Sequence, residues 1–194
     1  LKQPGDWSYL PVGVLCVTLI FALTGIFQSS PGIVDGITLV PSSFFLEKNT
    51  YAGMLNLIAQ PTIAWFIISV KKRRKNLSIF LGTALFILFF AIVGTGSRGA
   101  AISFAFGLTF IVFTSWRYVE KSSLLKVLII LIVAFLLADI RTDSMDYNMR
   151  DRLVNVQDNQ GNFFSSRDAL WPSAGQIVKT APVIGVGIGT YYIV

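Results

Sequence analysis

Long apolar runs alternate with short polar breaks along this chain, and five of the runs have the length of a membrane crossing. Residues 9–27 are apolar apart from threonines, and residues 51–70 carry Gln60-Pro61 in their middle; residues 77–93, 100–116 and 124–140 follow with few polar positions. A helix needs about 20 mostly apolar residues to cross the hydrocarbon layer. The pattern therefore predicts an all-α, polytopic integral-membrane helical bundle, a single membrane domain over residues 1–194. The polar breaks are residues 28–50, 71–76, 94–99, 117–123 and 141–182. Residues 183–194 turn apolar and glycine-rich again, as the start of a further span or a re-entrant piece.

Within the last polar break, Leu170, Trp171, Ala174, Ile177 and Val178 fall on one face of a helix. Ser165 with Asp168 resembles a capping box, with Asp in place of the usual Glu or Gln. Pro172 either kinks that helix or starts it. The expectation is a short amphipathic helix lying along the membrane surface.

Composition agrees with a membrane protein. Hydrophobic residues make up 54% of the 194 positions and charged residues only 13%, against about 25% charge in ordinary soluble domains. The net charge of +6 raises nucleic acid as a partner, but its distribution argues for none. Five of the sixteen basic residues form one run, Lys71-Lys72-Arg73-Arg74-Lys75, between two apolar stretches. Such a run is first a topology signal, because loops rich in Lys and Arg stay in the cytoplasm. Alternation then assigns residues 1–8 and Arg117, Lys121 and Lys126 to the cytoplasm as well. The outer side receives residues 28–50, 94–99 and 141–182, the last with five acidic and five basic residues. Asn76-Leu77-Ser78 is formally a glycosylation sequon, but it adjoins the cytoplasmic basic run.

The chain has one cysteine, Cys16, inside an apolar stretch, and no histidine. No intrachain disulfide and no cysteine-based metal site follow, and the commonest general base is missing. The sequence starts at Leu1 and stops at Tyr192-Ile193-Val194 within an apolar run; with no signal-peptide pattern, it is expected to be a central fragment of a longer protein. Gly94-Thr95-Gly96-Ser97-Arg98-Gly99 matches the dinucleotide pattern in letters only. That motif follows a strand, whereas here a membrane helix precedes it, and Gly185-Val186-Gly187-Ile188-Gly189 fails for the same reason. No cofactor and no metal are expected.

Arg98 is a charge at the edge of the bilayer. Such charges are costly and mark functional sites by default; the alternative is a snorkelling anchor. The flanking glycines favour close approach of a ligand or backbone, and a guanidinium there suits a phosphate held by two hydrogen bonds. Arg167, beside Asp168, is a second candidate, or else an ordinary surface arginine paired with that aspartate. Asp139 is either a local partner for Arg141 or a counter-charge for Arg98.

Three segments resemble one family. Thr95-Gly96-Ser97-Arg98-Gly99-Ala100-Ala101, at the start of a membrane helix, is similar to the helix-opening motif of the O-antigen ligase and O-antigen polymerase superfamily. Leu46-Glu47-Lys48-Asn49-Thr50-Tyr51-Ala52-Gly53, ahead of the span with Pro61, resembles an earlier segment of that family. Ser166-Arg167-Asp168-Ala169-Leu170-Trp171, followed by residues 181–189, resembles its outer-loop signature. The likeness covers about residues 45–194. It implies an integral-membrane, metal-independent glycosyltransferase in polysaccharide or lipopolysaccharide biosynthesis, in the bacterial inner membrane. The donor would be an undecaprenyl-diphosphate-linked glycan, and the acceptor a lipid A core or a growing glycan. By the same resemblance Arg98 and Arg167 are the catalytic cations that grip the diphosphate, with Ser97 and Gly99 beside it. The family's base is a histidine further along the outer loop, expected beyond residue 194. Two other readings stay open from the residues: a transporter or lipid-glycan flippase that binds a diphosphate head group, to which the Gln60-Pro61 break in a span would point, and an assembly subunit without a site of its own.

Overall fold

The computed structural model describes residues 10–28, 33–34, 37–38, 48–116 and 120–143, together with Pro172, Gly175, Gln176 and Lys179. It divides into two compact units, Leu1–Asp151 and Arg152–Val194. The first holds five helices: α1 (Leu10–Gln28), α2 (Lys48–Lys71), α3 (Lys75–Gly94), α4 (Arg98–Ser115) and α5 (Lys121–Asp143). All five are long and apolar enough to cross a membrane, and each lies on one of the five predicted spans. Between α1 and α2, β1 (Ile33–Val34) pairs antiparallel with β2 (Ile37–Thr38). The residues between them are Asp35 and Gly36, a dipeptide that favours hairpin turns.

α2 is the hub of the bundle. In lipid, helices gain little from burying apolar surface against each other, so close approach at small residues holds them together. α2 sends one large side chain into a glycine notch on each of three neighbours. A Cβ on Gly25 of α1 would collide with the Tyr51 ring and hydroxyl, one on Gly82 of α3 would stand 3.2 Å from the Phe66 ring, and one on Gly107 of α4 would stand 2.5 Å from the Gln60 amide. Tyr51 is fully buried, and its hydroxyl, 3.2 Å and 3.1 Å from the Phe21 and Ala22 carbonyls, donates to α1. α3 runs beside α2, α5 and α1. Its buried Leu81, Leu85, Leu88 and Ile92, interleaved with Ala84 and Ala91, form the middle of the core.

α2 stays continuous through Pro61. The discontinuous helix that would have pointed to a transporter is therefore absent at this position. α4 is the least enclosed helix. Only Ala100 and Phe104 are buried along its length, while Phe106, Phe110 and Phe113 are exposed, as suits side chains facing acyl chains.

The hydrogen bonds fix which helix ends lie together. Tyr51 near the start of α2 reaches the last turns of α1. At the far end of α5, the Arg141 Nη2 donates to the Ile26 carbonyl of α1, and the Arg141 guanidinium carbon stands 5.9 Å from the centre of the Phe90 ring on α3. The ends of α1, α3 and α5 and the starts of α2 and α4 thus share one end of the bundle. The α2–α3 turn and the first turns of α5 share the other, as the predicted alternation requires. The amphipathic helix expected after residue 165 falls largely outside the described residues; Pro172, Gly175, Gln176 and Lys179 are themselves helical and exposed.

Candidate functional site

The turn between α3 and α4 follows from three side-chain properties. Thr95 caps the end of α3: its Oγ1 donates to the Ile92 carbonyl at 2.7 Å and accepts the Ser97 N–H at 3.2 Å. Gly96 then takes φ 59°, a left-handed conformation open to glycine without a Cβ clash, and the chain reverses. Ser97 is the N-cap of α4; its Oγ accepts the Ala100 N–H and donates to Asn49 Oδ1 at 2.9 Å. Thr95, Gly96 and Ser97 are all buried. The first and second of the three recognised segments are thus joined by one hydrogen bond across a sequence gap of 48 residues.

Arg98 is the first residue of α4 and is half-buried. Helix N-termini carry the positive end of the helix dipole, which disfavours a cation by roughly 0.3–1 kcal/mol. Nothing in helix stability asks for arginine here. What the position offers is a guanidinium at the positive end of a helix dipole, a combination that attracts phosphate-like anions. Gly99 is exposed, and a Cβ there would meet nothing within 4 Å among the described residues, so their packing does not require glycine at this position.

Below this turn, a polar seam that sequence reasoning missed runs between α2 and α4. Asn56 Nδ2 donates to Ser103 Oγ at 2.6 Å and approaches the Ala100 carbonyl at 3.5 Å. Gln60 Nε2 donates to Asn56 Oδ1 and to the Phe104 carbonyl, each at 3.2 Å. The Gln60 Oε1 is buried without a partner among the described residues. Asn49, Asn56 and Gln60 stand seven and four residues apart, which puts them on one face of a helix. That spacing inside an apolar span was the available signal. The seam ties α4 to α2 and so fixes where Arg98 stands relative to Asn49.

Of the other expected site residues, Arg167 lies outside the described residues, as do Asp168 and Trp171. Asp139 Oδ1 is buried and unpartnered among the described residues, while Arg141 turns toward α1 and Phe90. Ser97 has its hydroxyl engaged on both sides, by Ala100 and by Asn49. Cys16 is exposed on α1. Among the described residues no group of three His, Cys, Asp or Glu side chains could hold a metal ion.

Five helices of membrane-crossing length, with a half-buried arginine at the capped start of α4, define a multi-pass membrane protein. Comparison with known proteins names the class more closely. The family model described as O-antigen ligase matches residues 83–194, more than half of the chain, and the protein belongs to that family. Its role is therefore that of a glycosyltransferase-like membrane protein in O-antigen processing. No curated protein and no solved structure matches the chain.

Proposed function

We propose that the protein transfers a glycan from an undecaprenyl-diphosphate carrier to an acceptor hydroxyl, on a lipid A core or a growing polysaccharide, at the outer face of the bacterial inner membrane. In this reaction the acceptor oxygen forms a bond to the anomeric carbon as the bond from that carbon to the diphosphate oxygen breaks. The electron pair leaves on the diphosphate, and the acceptor proton passes to a base. By family resemblance that base is a histidine, which these 194 residues do not contain.

The observation that supports this reading is Arg98 at the head of α4. Negative charge grows on the leaving diphosphate in the transition state, and fixed donors in a water-poor site stabilise such charge most effectively. Arg98, at the positive end of the α4 dipole, supplies such donors from a turn held by Thr95, Ser97 and Asn49. Arg167 is the second cation, gripping the other phosphoryl group; Ser97 sets the register of the turn, and Gly99 leaves room for the ligand. A flippase reading loses support from the unbroken α2.

Glycan transfer per amount of membrane-inserted protein tests the proposal. Arg98→Ala and Arg98→Lys should both lose most transfer with insertion intact, because an ammonium keeps the charge and loses the planar fork. A snorkelling anchor gives the opposite pattern: Arg98→Lys is nearly silent, and Arg98→Ala lowers protein level rather than specific activity.

A further inference from the structure

At the end of the bundle away from Arg98, a cavity of about 600 Å³ opens between α2, α3 and α5. Its rim carries three cations, Arg73 from the α2–α3 turn, Lys75 from the start of α3 and Lys126 from the second turn of α5, and no carboxylate is among its described lining residues. Its walls are apolar, built by Phe66, Val70, Ile79 and Ile130. The Phe66–Gly82 notch already described shapes its floor. Nothing in the proposed transfer reaction uses this cavity.

The rim has a second unusual feature. Arg73 holds φ 53°, the one described non-glycine residue with a positive φ. An L residue there costs about 1–2 kcal/mol that glycine would not. Strain of this kind gathers at ligand clamps, and here it presents a guanidinium at the mouth of a cavity.

A cationic mouth over apolar walls matches an amphiphile with an anionic head. A small anion has no use for the walls, and a neutral lipid has no use for three cations. Loops as basic as residues 71–75 face the cytoplasm, where the leaflet is rich in anionic lipid and basic pockets between membrane helices take phosphate head groups. We infer that this cavity is a binding site for an anionic glycerophospholipid, with the phosphodiester on Arg73, Lys75 and Lys126 and an acyl segment along Phe66, Val70, Ile79 and Ile130.

The experiment is native mass spectrometry of the purified protein, exchanged into micelles doped with equal phosphatidylglycerol and phosphatidylcholine. The wild type should retain phosphatidylglycerol preferentially, and each cation neutralised among Arg73→Gln, Lys75→Gln and Lys126→Gln should lower that preference about fivefold. Thr83 lines the same cavity from α3. Thr83→Trp fills it without touching a charge and should abolish retention, which guards against basic-loop variants that insert poorly. Inorganic phosphate at millimolar concentration should not displace the lipid. Equal retention of both lipids overturns the inference, as does full retention in Lys126→Gln or Thr83→Trp. Displacement by inorganic phosphate overturns it in favour of a simple anion site.

Discussion

Two three-residue turns flank α3, and each reverses the chain through one residue in the left-handed region: Arg73 at φ 53° in the first, Gly96 at φ 59° in the second. Their chemistry is opposite. Residues 72–74 are all exposed, and residues 95–97 are all buried. The residue before α3, Arg74, makes no side-chain capping bond, whereas Ser97 caps α4 and also bonds Asn49. The first turn carries its cations in the open and in number. The second carries one cation on a buried, hydrogen-bonded frame. Charge at a membrane edge anchors a helix when it is solvated and plural. A single charge on a buried, hydrogen-bonded turn is instead suited to one defined partner.

The comparison breaks most visibly in activity. Arg98→Ala should lower transfer per inserted protein by about 10²–10³-fold, the usual loss when one fixed donor to a developing anion is removed. Neutralising Lys72 and Arg74 together should leave specific activity within about twofold and act on topology instead, read by single-cysteine labelling in a Cys16→Ser background. A large activity loss from the exposed turn would erase the distinction.

Exchanging the left-handed residues sharpens it. Gly96→Ala puts a Cβ on a buried left-handed position and should cost about 1–2 kcal/mol of stability. Arg73→Gly relieves the same conformation and should change stability by less than about 1 kcal/mol, because the strain removed is offset by the entropy of the new glycine. Thermal melts of the two variants in the same detergent check this.

Ser97→Ala gives the smallest effect. Loss of an N-cap costs about 1 kcal/mol, and Asn49 Oδ1 loses its donor, so transfer should fall by up to about tenfold. Ser97→Thr keeps the hydroxyl and should recover most of it. A silent Ser97→Ala would mean that the Asn49–Ser97 bond does not aim Arg98.

Much of the bundle was legible in the sequence, because hydropathy over a long run reports a crossing directly. The helices extend past the apolar runs by a few residues: α2 begins at Lys48 rather than 51, and α4 at Arg98 rather than 100. Backbone hydrogen bonding continues into the interface after apolar side chains stop, and at α4 the Ser97 cap decides the start. The polar break at 94–99 thus predicts Arg98 in a turn, whereas it is the first residue of a helix. Its importance came from the cost of a charge at that depth, which needs no structure. The Asn49–Ser97 bond and the Asn56–Gln60–Ser103 seam were not legible, since they join residues 44–48 positions apart and neither helix announces its partner. Asn56 and Gln60 stand inside an apolar span, seven and eleven residues after Asn49, a helical spacing that signals one shared face. The short β1–β2 pairing lies within the polar break at 28–50, where Asp35-Gly36 between apolar residues is the hairpin signal.

The central claim is that Arg98 works with a second cation, Arg167, on one leaving diphosphate. A double-mutant cycle on transfer by the intact enzyme, normalised to inserted protein, tests it most directly. Residues acting on one group are strongly non-additive, so Arg98→Ala with Arg167→Ala should be little worse than either single change. Independent losses that multiply in the double variant, or full activity in Arg167→Ala, would contradict the shared diphosphate clamp.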